Sequence, residues 1–169
     1  MSATVVIVGT NHDYQWGGAQ VEPSALDAFR ALLTDLASKH CAVAIAEEMN
    51  VDALRLHEQS SSVPAMLCSS LGIGHAYCDP SEREQTDLGI INDGVIRLWQ
   101  TTNGWGEAEV QHQISIEYLK RERYWVSRLL ELDRWPTIFI CGSLHTERFA
   151  QLLREERVQV VVAHTSWAA

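Results

Sequence analysis

Basic residues are scarce in this 169-residue chain: 13 Lys and Arg stand against 22 Asp and Glu, a formal net charge of −9 at pH 7. No Lys/Arg-rich block interrupts that balance. Nucleic-acid backbones and anionic membrane surfaces draw their affinity from such blocks, so neither is an expected partner. Long apolar runs are also missing, and none approaches the roughly 20 residues that span a bilayer. The opening Met1-Ser2-Ala3-Thr4 has no basic segment and passes directly into a β-like stretch, so a secretory signal is not expected. Cys41, Cys68, Cys78 and Cys141 form no Cys-x-x-Cys pair, which excludes a zinc knuckle by spacing and makes disulfides unexpected. The chain reads as a cytoplasmic protein whose cysteines are small buried hydrophobes. It has no Gly-x-Gly-x-x-Gly after the first strand, no Gly-Lys-Ser/Thr loop and no Gly-x-Ser-x-Gly. Dinucleotide, P-loop and nucleophile-elbow chemistry therefore have no support.

What is present is an ordinary globular composition, 46% hydrophobic and 21% charged, in a length that suits one domain. Four short apolar runs, 4–8, 42–46, 137–141 and 158–163, fit strands buried on both faces of a parallel sheet. A weaker fifth, 73–78, alternates and suits an edge strand or a less regular inner one. Helical patterns lie between them. Pro23 opens one in which Leu26, Phe29, Leu33 and Leu36 recur at spacings of three and four. A second covers 51–71 with a break near Ser60-Ser61-Ser62-Val63-Pro64. A third runs from Ser115 to Leu132, with Ile116, Leu119, Val126 and Leu130 on one side. A last helix follows Gly142. This alternation predicts one α/β domain, a mainly parallel sheet of about five strands with helices on both faces. The polar, glycine-bearing stretch 79–113 shows no sustained period and is expected to be a functional loop region, with a short hairpin or helix in it.

The strand ends carry the chemistry. In open parallel sheets, ligands bind beyond the carboxyl ends of the strands. Here those ends read Gly9-Thr10-Asn11-His12, Glu47-Glu48, Cys78-Asp79-Pro80-Ser81-Glu82-Arg83, Gly142-Ser143-Leu144-His145 and His164-Thr165. Two histidines and a carboxylate suit water activation, either as base and acid or as ligands of a divalent metal such as Mn, Zn or Co held by His12, Glu47 and His145. Of the two glutamates, alternation from Ile45 favours Glu47 as the inward one. Each residue also has a plain structural use: a loop histidine, an acidic pair at a helix start, a glycine for close approach. On the third helix Arg123 shares a side with Leu119 and Val126. An arginine there must be paired, either in an internal salt bridge or as a clamp on the catalytic Glu or on an oxyanion. Cys78 reads as a buried cysteine more than as a nucleophile. Trp16, Trp99 and Trp105 flank the expected site and suit an apolar substrate wall.

The order Gly9-Thr10-Asn11-His12, Glu47/Glu48, Glu122-Arg123 and Gly142-Ser143-Leu144-His145 resembles the TraB/TIKI, erythromycin esterase and ChaN-like superfamily. The stretch Asp79 to Thr86, with Arg83, is similar to that family's post-strand Asp/Arg segment. The resemblance implies hydrolytic chemistry of esterase or peptidase type on a small-molecule or peptide substrate, sometimes metal-dependent. It implies His12, a glutamate, Arg123 and His145 as the site. Glu48, Asp79, Arg83 and Trp105 are then the expected substrate contacts. The reading from another class is a non-catalytic small-molecule or protein-binding module on the same fold.

Overall fold

Residues 3–169 are described by the computed structural model. The strands are β1 (Thr4–Thr10), β2 (Ala44–Glu47), β3 (Gly74–Tyr77), β4 (Thr137–Gly142) and β5 (Gln159–Trp167). They form one all-parallel sheet in the order β3-β2-β4-β1-β5. The alternating run 73–78 is indeed an edge strand. Register lines up the carboxyl ends: Thr10 lies beside Gly142, and Glu47 beside both Ile140 and Tyr77.

The helices are α1 (Asp13–Trp16), α2 (Pro23–His40), α3 (Val51–Leu56), α4 (Val63–Leu71), α5 (Glu82–Asp87), α6 (Asp93–Asn103), α7 (Glu107–Leu132) and α8 (Thr146–Glu155). Because strand side chains alternate, each strand feeds two cores. Val6, Val8, Ile45, Ile138 and Ile140 pack under α2 and α4 with Phe29, Leu33, Val63 and Cys68. Val5, Ile7, Ala46, Phe139 and Cys141 pack under α7 and α8 with Trp125, Leu129, Phe149 and Leu153. Each Val, Leu, Ile or Phe among them stabilises the fold by roughly 2 kcal/mol.

Local signals agree with these elements. Pro23 sits in the first turn of α2, where its missing N–H costs nothing. Ser62 caps α4 by accepting from the Ala65 amide, and Ser81 with Glu84 closes a capping box on α5. Gly9 is required by close approach of β1 and β5: a Cβ there would lie 2.2 Å from the Thr165 carbonyl oxygen.

Two expectations need correction. The stretch 79–113 is mostly helix: α5 and α6 occupy it, and α7 starts at Glu107, eight residues before Ser115. Its small core of Ile96, Val110 and Ile114 is shared between two helices, while Leu88, Val95 and Leu98 stay exposed, so the apolar positions do not trace one buried face. β5 also continues past His164 to Trp167. His164 therefore pairs with Val8 inside the sheet rather than projecting from its edge.

Connections from β1 and β2 leave toward the α2/α4 face, whereas those from β3 and β4 cross the α7/α8 face. β4 lies between β1 and β2, so neighbouring chains part at its carboxyl end and open a crevice there. Among the described residues no helix is long and apolar enough to cross a membrane.

Candidate functional site

The crevice above β4 collects polar side chains from four strand ends and from α7. At its centre is Glu48, 3% exposed. Its amide donates to the Ile140 carbonyl (2.8 Å), which prolongs the strand pairing by one residue. Alternation then sends Glu47 and Glu48 to opposite faces. Glu47 shares the side of Ile45, under α2 and α4, so the glutamate in the site is Glu48 and not Glu47. Alternation was the correct rule, but the site lies on the α7 side, and chain order does not reveal that.

Oε1 of Glu48 meets three cationic or titratable groups. Nη2 of Arg121 is 3.2 Å away, Nε2 of His145 3.6 Å and Nε2 of His12 3.7 Å. Its Oε2 accepts the backbone N–H of Gly142 at 2.8 Å. A side chain at 142 would have its Cβ 3.0 Å from His12 Nε2 and 3.4 Å from Glu48 Oε2. This glycine therefore lets the β4 backbone approach the carboxylate directly.

Both imidazoles are held from behind. His145, buried at the end of a single 3₁₀ turn (Ser143–His145), pairs through Nδ1 with Glu122 at 2.6 Å. Glu122, fully buried, is also bridged by Arg148. His12 begins the short turn of α1 and pairs through Nδ1 with Gln15 at 2.7 Å. Its ring stacks on Trp16, which in turn stacks on His57 with centroids 3.9 Å apart. Each ring is thus tethered through Nδ1, and both Nε2 atoms lie near the same Glu48 oxygen.

Arg121 closes the floor. Its Nε and Nη2 reach Asp79 Oδ1 at 3.0 and 2.7 Å while Nη2 also reaches Glu48. Asp79 further accepts from Trp125 Nε1 (3.0 Å) and from Asn50 Nδ2 (3.1 Å). Burial pushes the Asp79 carboxyl above its ordinary value, with Arg121 opposing and Glu48 adding to the rise. Burial also disfavours the Arg121 charge, but Asp79 and Glu48 outweigh it and hold the guanidinium above its ordinary value. Arg121 Nη1 has no acceptor among the described residues. The side chain borders a cleft of about 380 Å³ that also touches Asp79, Asn50, Gln85 and Glu117.

Other expected residues lie elsewhere. Arg123 is on the exposed side of α7. At about 100° per residue it lies about 160° around the helix from Trp125, whereas Arg121 is only about 40° away. The buried stripe runs Val110, Ile114, Glu117, Trp125 and Leu129, while Ile116 and Leu130 are 37% and 40% exposed. The side that Arg123 shares with Leu119 is thus the edge of the apolar face. Arg83 extends into solvent beside Asp87, and Trp105 packs on the Ile96 core with its ring against Trp99. Cys78 is 1% exposed and burial lifts its thiol to about 12, which removes it as a nucleophile. Gln15 was absent from the sequence reading, although its position three after His12 on a helical turn is the spacing that brings two side chains together.

The expected metal set of His12, Glu47 and His145 is not brought together. Among the described residues no group of three or more His, Cys, Asp and Glu side chains is placed to hold a metal ion. Fold and site together define an open parallel α/β protein with a histidine–carboxylate–arginine cluster at its switch point. Comparison with protein-family models, with curated proteins and with solved structures finds no match to the chain.

Proposed function

We propose that the chain is a small hydrolase-like enzyme, of esterase or peptidase type, acting on a small-molecule or peptide substrate at the crevice above β4. One observation carries this reading: two imidazoles, each anchored through Nδ1, turn their Nε2 atoms toward one oxygen of a buried carboxylate. A structural salt bridge does not need two rings that are each tethered through Nδ1.

His12, about a third exposed, is the ring a water molecule reaches. Its Nε2 takes a proton as the water oxygen attacks a substrate carbonyl carbon, and Glu48 stabilises the imidazolium that forms. Arg121, whose Nη1 has no acceptor among the described residues, supplies positive charge for the oxygen on which negative charge develops. The proton then passes to the leaving group as the tetrahedral intermediate collapses. Buried His145 lies on the other side of Glu48, 3.6 Å from the same oxygen. The motif order that resembles the TraB/TIKI, erythromycin esterase and ChaN-like superfamily supports the same chemistry.

A metal-dependent reaction is a second reading of this centre, supported by the chemistry of its donors and not by their placement. His12, His145 and Glu48 have the donor chemistry for Mn, Zn or Co, which would act as a Lewis acid on water. Arg121, now 3.2 Å from Glu48 Oε1, would then have to give way. A binding module without turnover is the alternative of another class. It is favoured by a network with no unpartnered buried side-chain polar atom among the described residues.

One experiment separates these readings. The purified chain is analysed for bound metal and assayed on ester, peptide and phosphoester panels, with and without added Mn, Zn or Co. Hydrolysis that drops at least about 100-fold in His12→Ala and in Glu48→Gln, with folding intact, supports the enzyme. A need for stoichiometric metal selects the second reading. No turnover on any panel, with or without metal, overturns the hydrolase.

A further inference from the structure

Glu47 lies outside the crevice, yet it is fully buried at the end of an apolar strand. Burying a carboxylate there is costly unless its oxygens are well used. They accept from three donors: the Ser62 hydroxyl, His75 Nε2 at 2.7 Å and Gln15 Nε2 at 3.2 Å. Ser62 caps α4 and His75 belongs to β3, so two elements hold the carboxylate in place.

Gln15 is fully buried as well. Its amide is oriented by what it meets. One end faces only acceptors, Glu47 Oε2 and the Ile140 carbonyl oxygen at 3.5 Å, and must be the NH₂. The other end is then the carbonyl oxygen, and it faces His12 Nδ1 at 2.7 Å. A carbonyl only accepts, so Nδ1 carries a hydrogen, and in the neutral ring Nε2 is then bare.

We propose that Glu47 is a positioning residue that acts through Gln15 to fix the tautomer of neutral His12, leaving Nε2 bare to accept a proton from water. An acceptor-only carboxylate dictates the direction of one amide, and that amide dictates which ring nitrogen is protonated. This rests on the assignment of His12 as the base. Without the relay, an imidazole is free to carry its hydrogen on Nε2, the form preferred in water, and cannot then take a proton there.

The test is made on the full chain labelled with ¹⁵N, at a pH above the ordinary histidine range. Long-range ¹H–¹⁵N correlation reads the protonated nitrogen of His12 directly. The wild type is expected to show Nδ1–H. Glu47→Gln preserves volume but supplies an NH₂, so Gln15 is free to reverse. Gln15→Met preserves volume and removes the acceptor altogether. In each variant the Nε2–H form of His12 should rise to at least half. On any substrate the wild type turns over, kcat should fall about 10- to 100-fold, the range for partners that orient a functional imidazole, with KM little changed. Gln15→Met gives the answer by itself should Glu47→Gln fail to fold. His12 remaining Nδ1–H in the folded variant, or already Nε2–H in the wild type, would overturn the relay. A tautomer that shifts in a chain with no hydrolytic activity upholds the relay and sinks the hydrolase alone.

Discussion

Arg121→Met is the sharpest single test of how the site is built. In the folded chain this guanidinium lies between two carboxylates that are otherwise buried together, Glu48 at 3.2 Å and Asp79 at 2.7 Å. Methionine fills much of the same volume and sustains a helix, so the change removes the charge and little else. Taking one partner from a buried pair costs about 3–5 kcal/mol, because the remaining charge is left without compensation. Arg121 retains some exposure, 24% of its side chain, which places the expected loss near the lower end, about 3 kcal/mol. For a chain of this length that lowers Tm by about 6–12 °C. Arg123→Met, two residues away on the exposed side, should stay within about 0.5 kcal/mol of wild type.

The pH dependence has a definite sign. Asp79 is already raised by burial, and losing Arg121 removes the influence that opposes the rise. A carboxyl whose folded value lies above its unfolded value stabilises most below the unfolded value and loses that contribution as pH climbs through the folded one. The variant's deficit should therefore be largest at neutral pH and shrink toward pH 4. Adding Asp79→Asn to Arg121→Met should restore about 1–2 kcal/mol, since the two sites share one network. Thermal denaturation of the four proteins between pH 4 and 8 measures all of this. Equal losses for the two arginine variants, or a deficit that grows toward acid, would refute the assignment of Arg121 as the clamp.

Three further outcomes follow from named contacts. Gly9→Ala should cost about 3 kcal/mol or prevent folding, because its Cβ would lie 2.2 Å from the Thr165 oxygen and 2.5 Å from Thr146 Cγ2; a variant with wild-type Tm would show that β5 does not lie this close. In the native chain at pH 8 a thiol reagent should modify exposed Cys41 alone, since Cys68, Cys78 and Cys141 are buried and burial lifts each thiol. Mass mapping checks this, and early labelling of Cys78 contradicts it. His145→Ala should lose about 2 kcal/mol, because it leaves Glu122 without one buried partner and empties a site between Trp125 and Tyr118. His12→Ala, at the partly open ring, should lose about 1 kcal/mol or less. Reversal of that order in chemical denaturation would place the buried ring wrongly.

Much of the architecture was legible before any coordinates. Strands buried on both faces declare themselves as short unbroken apolar runs, and 4–8, 42–46 and 137–141 mark β1, β2 and β4 to within a few residues. Pro23 and the Phe29–Leu33–Leu36 spacing mark α2, and the polar strand ends mark the sheet edge where His12, Glu48, Asp79 and His145 gather. His12, Asp79 and His145 were found in this way because each directly follows a strand. Covalent sequence determines such local features, since alternation, helical period and capping act over a few residues.

Choices between near neighbours were settled only in three dimensions. Glu47 and Glu48 are adjacent and chemically identical, and Arg121 and Arg123 lie on the same helix. Which member of each pair serves the crevice depends on the layer that α7 and α8 cover and on where β4 inserts between β1 and β2. Strand order places Arg121 over Glu48 and Asp79, and it turns Glu47 toward Gln15 behind His12. Contacts across 32 to 73 positions of chain have no local signature, because folding energy, not sequence spacing, brings them together.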